Sequence, residues 1–139
     1  MKYDSCHGRF PAEITWDDKG LTVDGHFVRV FHEVDPAALQ WGDAGAEYIA
    51  DCTGAFLTTE KANGHLKGGA KKVVLSAPPK DSTPLIVMGC NEETYNTEWN
   101  VVSNASCTTN CLAPVAKVLH DTYGIEEGLM TTVHAVTIS

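Results

Sequence analysis

Cys107 and His134 are the two side chains whose types and positions suit covalent chemistry. Cys107 sits in Ser103-Asn104-Ala105-Ser106-Cys107-Thr108-Thr109-Asn110-Cys111, a polar turn leading into a helical pattern. A cysteine there lies among backbone N–H groups that have no partner inside the helix. Those groups and the positive end of the helix dipole favour the thiolate, the nucleophilic form of the side chain. Ser106, Thr108 and Thr109 add hydroxyls able to bind anionic oxygens beside it. His134 falls within Gly128–Val136, an apolar run that reads as a final strand, and an imidazole near a thiol can carry its proton. Each residue also has a plain alternative. Free cysteine is a common buried filler, and a histidine among apolar neighbours is more often structural than catalytic. Cys111 lies one helical turn further on, but zinc spacings and a second ligand pair are missing, so no metal site is assigned. His7, His26, His32, His65 and His120 read as loop, strand and helix-surface residues.

The elements that must position this pair follow from the apolar pattern. Ala12–Trp16, Leu21–Val23 and Phe27–Phe31 alternate as strands of a β-meander, with turns at Asp17-Asp18-Lys19-Gly20 and Asp24-Gly25. Asp35-Pro36-Ala37-Ala38-Leu39 suggests a short helix with an N-cap and a proline at its first position. Gly42-Asp43-Ala44-Gly45 reads as loop. Glu47–Cys52 is a strand ending at Thr53-Gly54. A helix capped by Thr58 or Thr59 then runs toward Leu66 and stops at Gly68-Gly69, and Lys72–Ser76 is a buried strand. Such a unit is a right-handed βαβ crossover by default. Leu85–Met88 and Asn100–Val102 supply further strands, so a parallel or mixed α/β sheet is expected. The helix that carries Cys107 runs through Leu119 and stops before Gly124, with Pro114 inside it to kink or loosen a turn. No Gly-x-Gly-x-x-Gly follows a strand and no P-loop occurs.

Composition narrows the classes. The 139 residues are 43% hydrophobic and 20% charged, with a net charge of −8, which fits a globular chain of ordinary domain size. Scattered lysines and arginines and the acidic balance argue against a nucleic-acid or anionic-membrane partner. No apolar run approaches the roughly 18 residues of a membrane span, and the N-terminal residues lack a signal-peptide core. Five cysteines without scaffold spacing read as free thiols in a reducing compartment, hence the cytoplasm.

On residues, the chain resembles the phosphorylating, glycolytic glyceraldehyde-3-phosphate dehydrogenases. The likeness runs through Tyr3-Asp4-Ser5, His7-Gly8-Arg9-Phe10, Trp41–Tyr48, His65–Lys72, Ser103–Pro114 and Thr131–Ala135. It implies an incomplete Rossmann-like NAD-binding domain over residues 1–106, without its N-terminal glycine loop, and the first helix and strand of the catalytic domain over 107–139. It also implies that Cys107 attacks an aldehyde and His134 takes the proton. NAD serves as cofactor, and inorganic phosphate cleaves the resulting thioester to an acyl phosphate. By the same resemblance Ser106, Thr108 and Thr137 bind substrate, while Ser76, Thr53 and Gly54 line the cofactor cleft. Family members are homotetramers acting on glyceraldehyde 3-phosphate.

Departures from the family pattern are Val34 in place of a cofactor-contacting arginine, Cys52 in place of serine, and Ile138-Ser139. The family's chains are more than twice as long, so truncation at both ends is expected. Weak NAD binding and slow or absent turnover by the isolated chain are expected with it. The competing expectation is a catalytically inactive structural or interaction fragment of the same family. A cysteine hydrolase fits less well, because no third orienting residue is recognisable.

Overall fold

The computed structural model describes residues 6–136. Strands β1 (Ile14–Asp17), β2 (Gly20–Val23) and β3 (His26–Arg29) form an antiparallel meander in that order. Both tight turns use the expected residues. Asp17 Oδ1 accepts from Lys19 N at 2.8 Å and Gly20 N at 3.0 Å. Asp24 and Gly25 adopt φ of 50° and 81° between the paired residues Val23 and His26, as a two-residue hairpin loop demands. The third strand stops at Arg29, short of the Phe31 expected from alternation. A single bond from Val30 N to Lys19 O at 3.3 Å follows it.

Asp35 opens a 3-10 turn at Pro36–Ala38 by accepting from Ala37 N at 2.9 Å. Trp41–Ala44 then forms a single helical turn, α1, closed by Gly45 in the left-handed region. That segment had been expected as loop. The second sheet is parallel, ordered β4 (Tyr48–Asp51), β5 (Lys72–Leu75), β6 (Val101–Ser103). Helix α2 (Thr59–Lys67) links β4 to β5, and Thr58 caps it by accepting from Lys61 N at 3.3 Å. Gly69 ends the connection at φ 104°, where an added Cβ would fall 2.7 Å from Gly42 N. Only glycine allows α1 to approach this closely. The core is small: Ala62, Val73, Leu75 and Val101, with Leu66 packed against them.

Two expected strands do not form. Leu85–Met88 makes one parallel bridge, Leu85 with Ser103. Pro84 lacks an N–H, and Val87 N is taken by Asn91 Oδ1 at 2.8 Å, so the ladder cannot continue. Gly128–Val136 belongs to no strand. A strand exists only where a neighbour supplies facing backbone groups, and no described residue does so here. Helix α3 (Cys107–Tyr123) runs unbroken through Pro114 and buries none of its residues.

Candidate active site

Ser106 is the N-cap of α3, extended at φ −115° and ψ 165°. Its Oγ accepts from Thr109 N at 3.0 Å and lies 2.8 Å from Thr109 Oγ1. Cys107 is therefore the first helical residue, as expected, and its side chain is exposed. Asn110 ties the helix to the preceding turn, its Nδ2 donating to Asn104 O at 2.7 Å and to Ser106 O at 2.9 Å.

The turn before Cys107 is strained. Ala105 is buried and holds φ of 58°, a conformation that costs an ordinary residue about 1–3 kcal/mol. Buried Ser103 over-determines it: its Oγ donates to Ala77 O at 2.7 Å and accepts from Ala105 N at 3.0 Å. Asn104 N adds a bond to Leu75 O at 2.9 Å. Nothing in an Asn-Ala-Ser tripeptide announces a left-handed alanine, so sequence patterning missed Ser103 and Ala105.

His134 reaches the same place from extended chain, not from a strand. Its Nε2 lies 3.2 Å from Thr108 Oγ1. The imidazole's hydrogen-bond partner is thus the hydroxyl next to Cys107 in sequence, not the sulfur. Cys107, Thr108, Cys111, Leu112 and Val115 on α3 face Met130–His134 across an open cavity of about 450 Å³. Its walls are mostly apolar, with two thiols, threonine hydroxyls and the imidazole among the lining groups. A thiol, a hydroxyl and an imidazole lining one cavity could together attack a small carbonyl compound. Thr137 lies outside the described residues.

The remaining candidates gather at the carboxyl edge of the parallel sheet. Thr53 and Gly54 follow β4, Ser76 follows β5, and Asn104–Ser106 follow β6. That edge is where ligands of open α/β sheets bind. Thr53 donates to Asp51 Oδ1 twice, from N at 2.9 Å and Oγ1 at 2.6 Å. Ser76 N extends the β4–β5 ladder to Asp51 O at 3.0 Å, leaving its side chain exposed. Gly54 turns at φ 69° with open space where a Cβ would sit. Such an open, backbone-rich edge fits a dinucleotide.

His65, expected on the surface of its helix, is buried and only 4% exposed. It contacts Trp41 Nε1 through Nδ1 at 3.1 Å and Asp51 Oδ2 through Nε2 at 3.4 Å. A lone histidine in a short helix gives no sign of which face it takes. The carboxylate ending a buried strand was the available hint.

The NAD-binding domain model of glyceraldehyde 3-phosphate dehydrogenase matches residues 1–59, and the C-terminal domain model matches residues 106–139. The chain is 61% identical over 137 residues to a glyceraldehyde-3-phosphate dehydrogenase of Aspergillus oryzae and 58% to one of Coccidioides immitis. Each alignment covers 99% of this chain and 40% of the relative. One from Lactarius deterrimus is 55% identical, with 47% of its length covered. The chain thus spans about 40% of the length of most of these relatives. With both domain models matched at its two ends and close identity carried between them, this chain belongs to the glyceraldehyde-3-phosphate dehydrogenase family.

Proposed function

We propose that the chain carries the nucleophile and proton carrier of an NAD-dependent, phosphorylating aldehyde oxidation acting on glyceraldehyde 3-phosphate. The observation that carries the proposal is the shared cavity of Cys107 and His134, with Thr108 bonded to the imidazole. Cys107 attacks the aldehyde carbon, forming a carbon–sulfur bond and a hemithioacetal. His134 takes the hydroxyl proton as the carbonyl is regenerated. NAD, when bound, supplies the acceptor for the departing hydride. A thioester on Cys107 remains, and inorganic phosphate attacks it to release an acyl phosphate and free the sulfur. Cysteine suits both halves, being a strong nucleophile and a good leaving group. Ser106, Thr108 and Thr137 are assigned to substrate, and Thr53, Gly54 and Ser76 to the cofactor.

In this reading residues 1–106 are the cofactor-binding part and residues 107–139 open the catalytic part. The working assembly is a homotetramer in the cytoplasm. Among the described residues no helix is long and apolar enough to cross a membrane.

NADH formation from aldehyde, NAD and phosphate tests the assignment. Cys107→Ser is expected to abolish it, and His134→Asn to lower it by about 10²–10⁴-fold, the usual worth of a general base. Equal rates in the three proteins would overturn the roles. A second reading, an inactive interaction fragment, is favoured by the exposed Leu112, Val115, Val118 and Leu119 of α3. Its mark would be a Cys107 thiol that labels readily without any NADH formation.

A further inference from the structure

Trp41, His65 and Asp51 form a chain of polar groups that the reaction above does not use. An indole N–H only donates, so His65 Nδ1 accepts from Trp41 Nε1 at 3.1 Å. The ring hydrogen therefore sits on Nε2, facing Asp51 Oδ2 at 3.4 Å. The other carboxylate oxygen, Oδ1, accepts both bonds from Thr53. Asp51 and His65 are 5% and 4% exposed. Phe56 and Trp41 flank the imidazole, each with its ring centroid 6.0 Å away. Donation thus runs from α1 through α2 to the buried Asp51 at the end of β4, and the exposed Thr53 donates to the same carboxylate from the other side.

We propose that Trp41, His65 and Asp51 are positioning residues that fix the Thr53–Gly54 turn and thereby set the affinity of the strand-end edge for the nicotinamide dinucleotide. The proposal rests on the cofactor assignment of Thr53 and Gly54 given above. Thr53 and Gly54 are exposed, and no atom lies within 4 Å of a Cβ built on Gly54. Packing therefore does little to hold this turn, and the two bonds to Asp51, with Ala55 N donating to Thr53 Oγ1 at 3.2 Å, supply the restraint. Ordering a loop before the ligand arrives removes that cost from binding. A direct hydrogen bond from His65 to the ligand is not required, since the imidazole acts through Asp51.

Nuclear magnetic resonance on the full 139-residue chain tests this, with NAD as the titrant. Ring-nitrogen shifts of His65 are expected to show its hydrogen on Nε2. Trp41→Phe keeps an aromatic ring and removes the donor. It is expected to speed exchange of the Thr53 amide and weaken NAD binding, each about five-fold, the worth of one ordinary hydrogen bond of about 1 kcal/mol. Amides of Val73 and Val101 should exchange as before, which separates positioning from general loosening. A second pair at the exposed turn covers the case in which Trp41→Phe does not fold. Thr53→Val is expected to shift the His65 ring nitrogens, and Thr53→Ser to leave them unchanged. A hydrogen on Nδ1, an unchanged His65 in Thr53→Val, or equal NAD binding by wild type and Trp41→Phe would overturn the proposal alone. NAD that leaves Thr53, Gly54 and Ser76 of the wild type unshifted would overturn the cofactor assignment, and the proposal with it.

Discussion

At the scale of single residues, Thr108 decides where the imidazole stands. His134 rides on extended chain without a ladder to hold it, and its bond to Thr108 Oγ1 anchors the ring to the residue that follows Cys107. Thr108→Val, which removes the hydroxyl and keeps the shape, is expected to slow acylation of Cys107 about ten-fold by loss of one hydrogen bond. Thr108→Ser should keep the rate near wild type. Stopped-flow measurement of thioester formation checks the pair, and equal rates in the two variants would count against the anchoring role. That Cys107 opens a helix was legible beforehand, because a polar turn runs there into a helical apolar pattern; that Ser106 caps it was not. The strained Ala105 was not, since left-handed backbone at alanine is imposed by Ser103 and the strands around it, not by local preference.

At the scale of elements, α2 and the parallel sheet carry the scaffold, and Asp81 ties the start of that helix. Its carboxylate accepts from Thr83 Oγ1 and N, and from Thr59 N at 2.8 Å. These bonds, the Thr83 hydroxyl foremost, hold its pKa below the ordinary carboxylate value of 3.8. A depressed folded-state pKa means stability that is fully present above the unfolded value and is lost as pH falls through the folded one. Asp81→Ala is therefore expected to lower the melting temperature at neutral pH. The gap to wild type should begin to narrow below about pH 4, where the unfolded chain takes up the proton, and go on narrowing until folded Asp81 is protonated too. Thermal denaturation across pH checks this, and a gap that persists unchanged into strong acid would contradict it. The βαβ unit was readable from sequence, because an apolar run, a capped helix and a second apolar run leave few other arrangements. The strand expected at Gly128–Val136 was not, because alternation records only a preference for a sheet. Whether a partner strand is there to pair with is a tertiary fact. Leu85–Met88 failed differently: Pro84 O and Ile86 N bond Ser103 on either side of Leu85, and the Asn91 side chain takes Leu85 O and Val87 N, which ends the ladder there.

At the scale of the whole molecule, the chain exposes 10590 Å², against about 7,000 Å² expected for a compact monomer of 15.0 kDa. On α3 and the extended segment after it Leu112, Val115, Val118, Leu119, Leu129, Val133 and Val136 are all exposed. Surface of this kind favours association. Sedimentation velocity is expected to show a weight-average mass that rises with concentration, and a single monomer species at every concentration would contradict that. The site survives in this setting because its two halves are local to residues 103–134, joined across one cavity. Whether those halves work together is best read from the sulfur itself. Mass spectrometry of the chain mixed with glyceraldehyde 3-phosphate and NAD, quenched before phosphate is added, is expected to find a phosphoglyceroyl thioester on the Cys107 peptide. That thioester should form only when both reactants are present and should disappear on adding phosphate. An unmodified Cys107, or an adduct that forms equally well without NAD, would contradict the account.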